Sequence, residues 1–166
     1  MPVSNFSTQP LPNFDPARAA APAGSPTSPY ILYAEDNPSD AVFFRRAYEK
    51  NGGQLPLLHF SNGVSAEAFL HETAGQPDRL PRLLILDNKM PGLSGLDLLE
   101  RVRGSEDLRH LPVILLSASY EPSDIQRAYD NRVNAYVVKP NRYRELKELT
   151  ASITSFWGRF NQIPAA

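Results

Sequence analysis

Five short apolar runs, separated by amphipathic stretches, restrict the fold of this chain more than any other feature of its sequence. They are Tyr30 to Ala34, Leu55 to Phe60, Leu83 to Leu86, Val113 to Leu116 and Ala135 to Val138. Several are continuous rather than alternating, the pattern of strands covered on both faces. Helical spacing fills the intervals. Val42, Phe43, Arg46 and Ala47 begin a first helix, and Val64, Ala68 and Phe69 mark a shorter second. Leu96, Leu98, Leu99 and Val102 mark a third; Ile125, Ala128 and Tyr129 mark a fourth, opened by Pro122-Ser123-Asp124. The last is expected from about Asn141 to Trp157. Strands alternating with helices predict an α/β fold, a doubly wound five-stranded parallel sheet with five helices on its two sides.

In such sheets the functional crevice lies beyond the carboxyl ends of the strands, near the switch in strand order. The first run ends in Glu35-Asp36, the third in Asp87, the fourth in Ser117 and the fifth in Lys139-Pro140. Carboxylates, a hydroxyl and an ammonium are therefore expected to converge there. Like charges about 4 Å apart cost on the order of 4 kcal/mol at an effective dielectric of about 20. The acids need a proton, the lysine or a cation, and oxygen donors in modest number favour Mg²⁺ or Mn²⁺. The turn Ala34-Glu35-Asp36-Asn37-Pro38 has no glycine to wrap a phosphate, and its acids would repel a pyrophosphate, which argues against a dinucleotide site. Ser39 and Asp40 are the expected caps of the first helix.

Bulk properties remove other classes. A formal net charge of −1 gives no basic excess for nucleic acid or an anionic membrane surface. Cysteine is absent, which excludes disulfides, thiolate metal sites and thiol catalysis and fits a cytoplasmic protein. No apolar stretch is long enough to span a bilayer, and the N-terminus lacks a signal-peptide pattern. Residues 1–28 are rich in Pro, Ala and Ser and read as a disordered leader, residues 29–157 as the folded domain and 158–166 as a short tail.

The strand-end segments Glu35-Asp36-Asn37-Pro38, Leu86-Asp87-Asn88-Lys89-Met90-Pro91-Gly92-Leu93-Ser94-Gly95, Leu116-Ser117-Ala118 and Tyr136-Val137-Val138-Lys139-Pro140 together resemble the receiver domains of bacterial response regulators. The resemblance covers roughly residues 29–157 and implies a flavodoxin-like receiver fold. It implies that Asp87 accepts a phosphoryl group from the phosphohistidine of a sensor histidine kinase. It makes Asp36, Asp87 and the backbone carbonyl of Lys89 ligands of Mg²⁺, with Glu35 acting mainly through a metal-bound water. Lys139 is expected to pair with a phosphoryl oxygen, and Ser117 to hydrogen-bond another after moving, with Tyr136 following. The Lys89 side chain is expected to overhang the phosphoryl group and alter its hydrolysis. Such a domain is a switch that assists its own phosphotransfer and dephosphorylation, not an enzyme in the ordinary sense. The chemistry agrees, because phosphoryl transfer needs in-line positioning and neutralised oxygens, which a metal, an ammonium and a hydroxyl supply.

Only the short tail follows Trp157, so output is expected through protein contacts. Leu146, Leu149, Ile153, Phe156, Trp157 and Phe160 share helical spacing and grow more aromatic towards the end. The alternatives are a stripe packed wholly on the sheet and an interface; the expectation is a homodimer through the last helix and strand five. The Phe-Trp ending, the Pro-Asp-Arg-Leu-Pro approach to the third strand and Asp107-Leu108-Arg109 narrow the resemblance to single-domain regulators paired with bacterial phytochromes. The competing readings are a phosphorylation-independent binding scaffold of the same fold and a haloacid-dehalogenase-type phosphatase. The second wants an acid two residues after its nucleophile, where Lys89 stands.

Overall fold

Each apolar run becomes a strand in the computed structural model, which describes residues 29–162; the leader lies outside the described residues. The order is β1 (Ile31–Ala34), α1 (Pro38–Lys50), β2 (Leu57–Phe60), α2 (Gly63–Thr73), a 3₁₀ turn (Pro77–Arg79), β3 (Leu83–Asp87) and α3 (Gly95–Gly104). Then come β4 (Val113–Ser117), α4 (Pro122–Asp130), β5 (Ala135–Val138), α5 (Tyr143–Ser155) and a π-helical turn (Phe156–Phe160). All strand pairs are parallel, in the order β2-β1-β3-β4-β5, so the order reverses at β1 and β3. The central strands β1, β3 and β4 are buried throughout, and the edge strands β2 and β5 are only partly so.

Alternation along each strand divides the core into two layers. Leu32, Ala34, Leu84, Leu86, Val113 and Leu115 pack with α2, α3 and α4. Ile31, Tyr33, Leu83, Ile85, Ile114 and Leu116 pack with α1 and α5. Apart from Ala34, each of these side chains contributes about 1.5–3 kcal/mol on burial.

Helix phase departs from the sequence reading in two places. In α1 the inward residues are Ala41, Phe44, Ala47 and Tyr48, and Phe43 stays 48% exposed. The Asn37 side chain caps this helix, accepting from the backbone of Ser39 and Asp40, the two residues expected to do the capping. Phe44 then stacks on Tyr33 with ring centroids 4.5 Å apart, while Phe43 meets the edge of Tyr143 at 6.3 Å. In α2 the buried set is Gly63, Ala66, Phe69, Leu70 and Thr73, leaving Val64 and Ala68 outside. Gly63 sits against the Leu93 carbonyl, where a Cβ would collide, so that face must turn inward.

Two arginines fasten the distant ends of the sheet. Arg103, buried on α3, donates to the carbonyls of Arg132, Arg109 and Leu111 and to Asn134 Oδ1, at 2.8–3.0 Å. Arg82, just before β3, donates to the carbonyls of Trp157 and Asn161 and holds the π-helical turn. That tether resolves the aromatic ending. Trp157 packs on the core with Leu146, Leu149 and Ile153, while Phe156 and Phe160 remain 53% and 64% exposed. The regular helix starts at Tyr143, two residues after the expected Asn141.

Candidate functional site

Strand register dictates which side chains meet. Ala34 pairs with Leu86, which sets Glu35 beside Asp87; Ser117 pairs with Val138, which sets Lys139 one step beyond. Backbone bonds continue past the strands and fix these positions, from Glu35 N to the Phe60 carbonyl and from Lys139 N to the Ser117 carbonyl. Strand alternation puts Glu35, Asp87 and Lys139 on the α1/α5 side of the sheet and Ser117 and Tyr136 on the other.

The first group is one tight cluster. Carboxylate oxygens of Glu35, Asp36 and Asp87 lie within 4.8 Å of one another. Glu35 and Asp87 are 1% and 3% exposed, and Asp36 is less buried. The Lys139 ammonium bridges Glu35 Oε2 at 2.7 Å, Asp87 Oδ1 at 2.7 Å and Asp40 Oδ2 at 3.1 Å. Burial opposes the charge on Lys139, but its hydrogen bonds to Asp87 and Glu35 outweigh that and hold its pKa above the usual lysine range. Burial raises the Glu35 pKa, with Asp87 adding to the rise; the ammonium and the Asn37 backbone N–H offset only part. A compact set of anionic oxygens on rigid strand ends fits a hard divalent cation.

Glu35 has further partners that sequence patterns did not identify. Asn37 N donates to its Oε1 at 3.1 Å and the Tyr33 hydroxyl to its Oε2 at 3.2 Å. His59 Nε2 lies 2.8 Å from the Glu35 carbonyl, which can only accept, so Nε2 carries the proton. Burial lowers the His59 pKa and raises that of Tyr33 well above the ordinary phenol value, so the ring stays neutral and the hydroxyl stays a donor. Asp40, expected as a cap, reaches the ammonium from the first turn of α1 instead. Tyr33 is the one a sequence rule could have found, two strand residues before Glu35 and so on its face.

Ser117 and Tyr136 form a second, separate pair. Ser117 is fully buried and its Oγ accepts from Ser119 N at 3.1 Å; the Tyr136 hydroxyl donates to the Ser119 carbonyl at 3.1 Å. Ser119 thus links the two. Lys89 is exposed in the β3–α3 loop. Asn88 closes that loop, its side chain accepting from Leu96 N and its carbonyl from Gly95 N. Gly95 lies so close to the Asp87 carbonyl that a Cβ would collide with it. Beside Lys139 a cleft of about 490 Å³ opens between α1 and the start of α5, lined by Asp40, Phe43, Pro140 and Tyr143.

The sequence profile of the response regulator receiver domain matches residues 31–151. A probable methanogenesis regulatory protein, FilR2, of Methanothrix harundinacea is 35% identical over 136 residues, 81% of this chain and 86% of its own. The Mn²⁺-bound form of the response regulator Rcp1 of Synechocystis superimposes with a TM-score of 0.73 at 27% identity, covering 84% of this chain and all of that one. The phosphorylated cyanobacterial phytochrome response regulator RcpA gives a TM-score of 0.73 at 25% identity, covering 83% of this chain and all of that one.

Proposed function

Because the chain belongs to the response regulator receiver domain family, the phospho-acceptor switches of two-component signalling, we propose that Asp87 takes a phosphoryl group from a sensor histidine kinase. The observation that carries this reading is a buried Asp87 paired with Lys139 at 2.7 Å among two further carboxylates. An Asp87 oxygen attacks phosphorus, the P–N bond to the kinase imidazole breaks, and an acyl phosphate forms. Asp36, Asp87 and the Lys89 carbonyl are the proposed holders of Mg²⁺ or Mn²⁺, with Glu35 acting through water. When bound, such a cation neutralises charge on the phosphoryl oxygens. Lys139 does the same as a point charge once it leaves Glu35. The exposed Lys89 side chain overhangs the group and tunes its lifetime.

The switch follows from the Ser119 link. When the Ser117 hydroxyl turns to a phosphoryl oxygen it gives up Ser119 N, and the loop that Tyr136 holds through the Ser119 carbonyl is released to repack. The partner we propose is a bacterial phytochrome kinase, in keeping with the likeness to the phytochrome regulator RcpA. Output runs through protein contacts in the cytosol, with a homodimer through α5 and β5. The exposed Phe156 and Phe160 support that interface. Among the described residues no helix is long and apolar enough to cross a membrane.

Incubation with Mg²⁺ and a small acyl-phosphate donor, followed by intact mass spectrometry, tests the acceptor. One added phosphoryl group is expected, lost without Mg²⁺ and in Asp87→Asn. No addition to the wild type, from the small donor or from a cognate kinase, would overturn the reading.

A further inference from the structure

Glu35 is tied to the lysine by its Oε2, and that tie is the one a phosphoryl group would break. Lys139 is 21% exposed on its side chain, has three acidic partners and ends a flexible stem. Once its ammonium turns to a phosphoryl oxygen, buried Glu35 loses its direct ion pair. Two donors stay in place, one on each oxygen: Asn37 N on Oε1 and the Tyr33 hydroxyl on Oε2. The Tyr33 ring is 1% exposed and clamped, stacked on Phe44 at 4.5 Å and tilted against His59 at 5.7 Å. Its hydroxyl is therefore a fixed point on a rigid strand, where the ammonium is a movable one.

We propose that Tyr33 is a positioning residue of the cation site: its hydroxyl keeps the Glu35 carboxylate aimed at Asp36 and Asp87 whether or not Lys139 is engaged. The inference rests on the acceptor-site reading and deepens it. Groups that orient a metal's ligands or its bound water commonly change affinity by about 10–100-fold when removed. Glu35 acts through water, so the lower end applies.

Mg²⁺ titration calorimetry compares wild type, Tyr33→Phe, Glu35→Gln, the double variant and Asp87→Asn, with thermal melts in chelator for each. Tyr33→Phe keeps the stacking and removes only the hydroxyl. Its dissociation constant is expected to rise about tenfold, with no further rise when the change is added to Glu35→Gln. Tyr48→Phe serves as a control, removing a buried phenol that bonds the Leu55 carbonyl; it should shift the melt and leave the affinity alone. Wild-type affinity in Tyr33→Phe, or an equal loss in the Glu35→Gln background, overturns the role of Tyr33. Wild-type protein that binds no Mg²⁺, or Asp87→Asn that binds as tightly, overturns the acceptor site itself and the inference with it.

Discussion

Replacing Lys139 by Met removes the cation that holds Glu35 and Asp87 together and leaves a side chain of similar length. The carboxylate oxygens lie within 4.8 Å, so at an effective dielectric of about 20 their repulsion is about 3.5 kcal/mol. Lys139 is 21% exposed, and water entering beside it reduces that figure. A loss of about 2–3 kcal/mol at neutral pH in chelator is expected, a fall of roughly 10 °C in thermal midpoint. Mg²⁺ should restore more stability to the variant than to the wild type, since it supplies the missing charge. Acid should also restore it. Without the ammonium, the Glu35 pKa rises further above its unfolded value, so the native state binds more protons than the unfolded chain. Stability then falls as pH rises from the unfolded carboxylate pKa, about 4.3, through the raised folded value. Urea melts at several pH values, with Mg²⁺ and with chelator, measure both effects. A variant as stable as wild type at neutral pH in chelator, with no larger gain from Mg²⁺, would refute the electrostatic account.

Four further substitutions probe the frame around the site. Arg103→Met strips donors from three carbonyls and Asn134 and should cost about 3 kcal/mol or more in urea melts, with phosphorylation chemistry retained by the fraction that folds. Gly95→Ala forces a Cβ into the Asp87 carbonyl and Leu115, so it should destabilise by about 1–3 kcal/mol and slow acyl-phosphate formation, read by mass spectrometry over time. Trp157→Ala should cost about 3 kcal/mol because the ring packs on the core. Phe160→Ala should cost under about 0.5 kcal/mol and instead weaken self-association in sedimentation.

Much of the frame could be read from local pattern. The apolar runs became β1 to β5 within a residue or two, and the parallel order followed from their alternation with helices. That order alone carries Glu35, Asp87, Ser117 and Lys139 to one end of the sheet, because parallel strands finish on the same side. Strand alternation, with its period of two, also sorts the set between the two faces. The helix faces were less accessible. Phe43 and Val64 look like core residues by spacing, yet the Asn37 cap and the close approach of Gly63 to Leu93 turn them outward. The grip of Lys139 on Glu35 and Asp40 joins residues about a hundred positions apart, as does the Asn51 bond to Thr150, and its bond to Asp87 crosses a whole β-α-β unit and more. The Arg82 tether that parts Trp157 from Phe156 and Phe160 spans 75 positions. Such contacts depend on how whole helices settle against the sheet, a balance of packing among many side chains that no local window contains. Local chemistry thus placed the reactive groups at the strand ends, and long-range packing chose the partners that hold each of them.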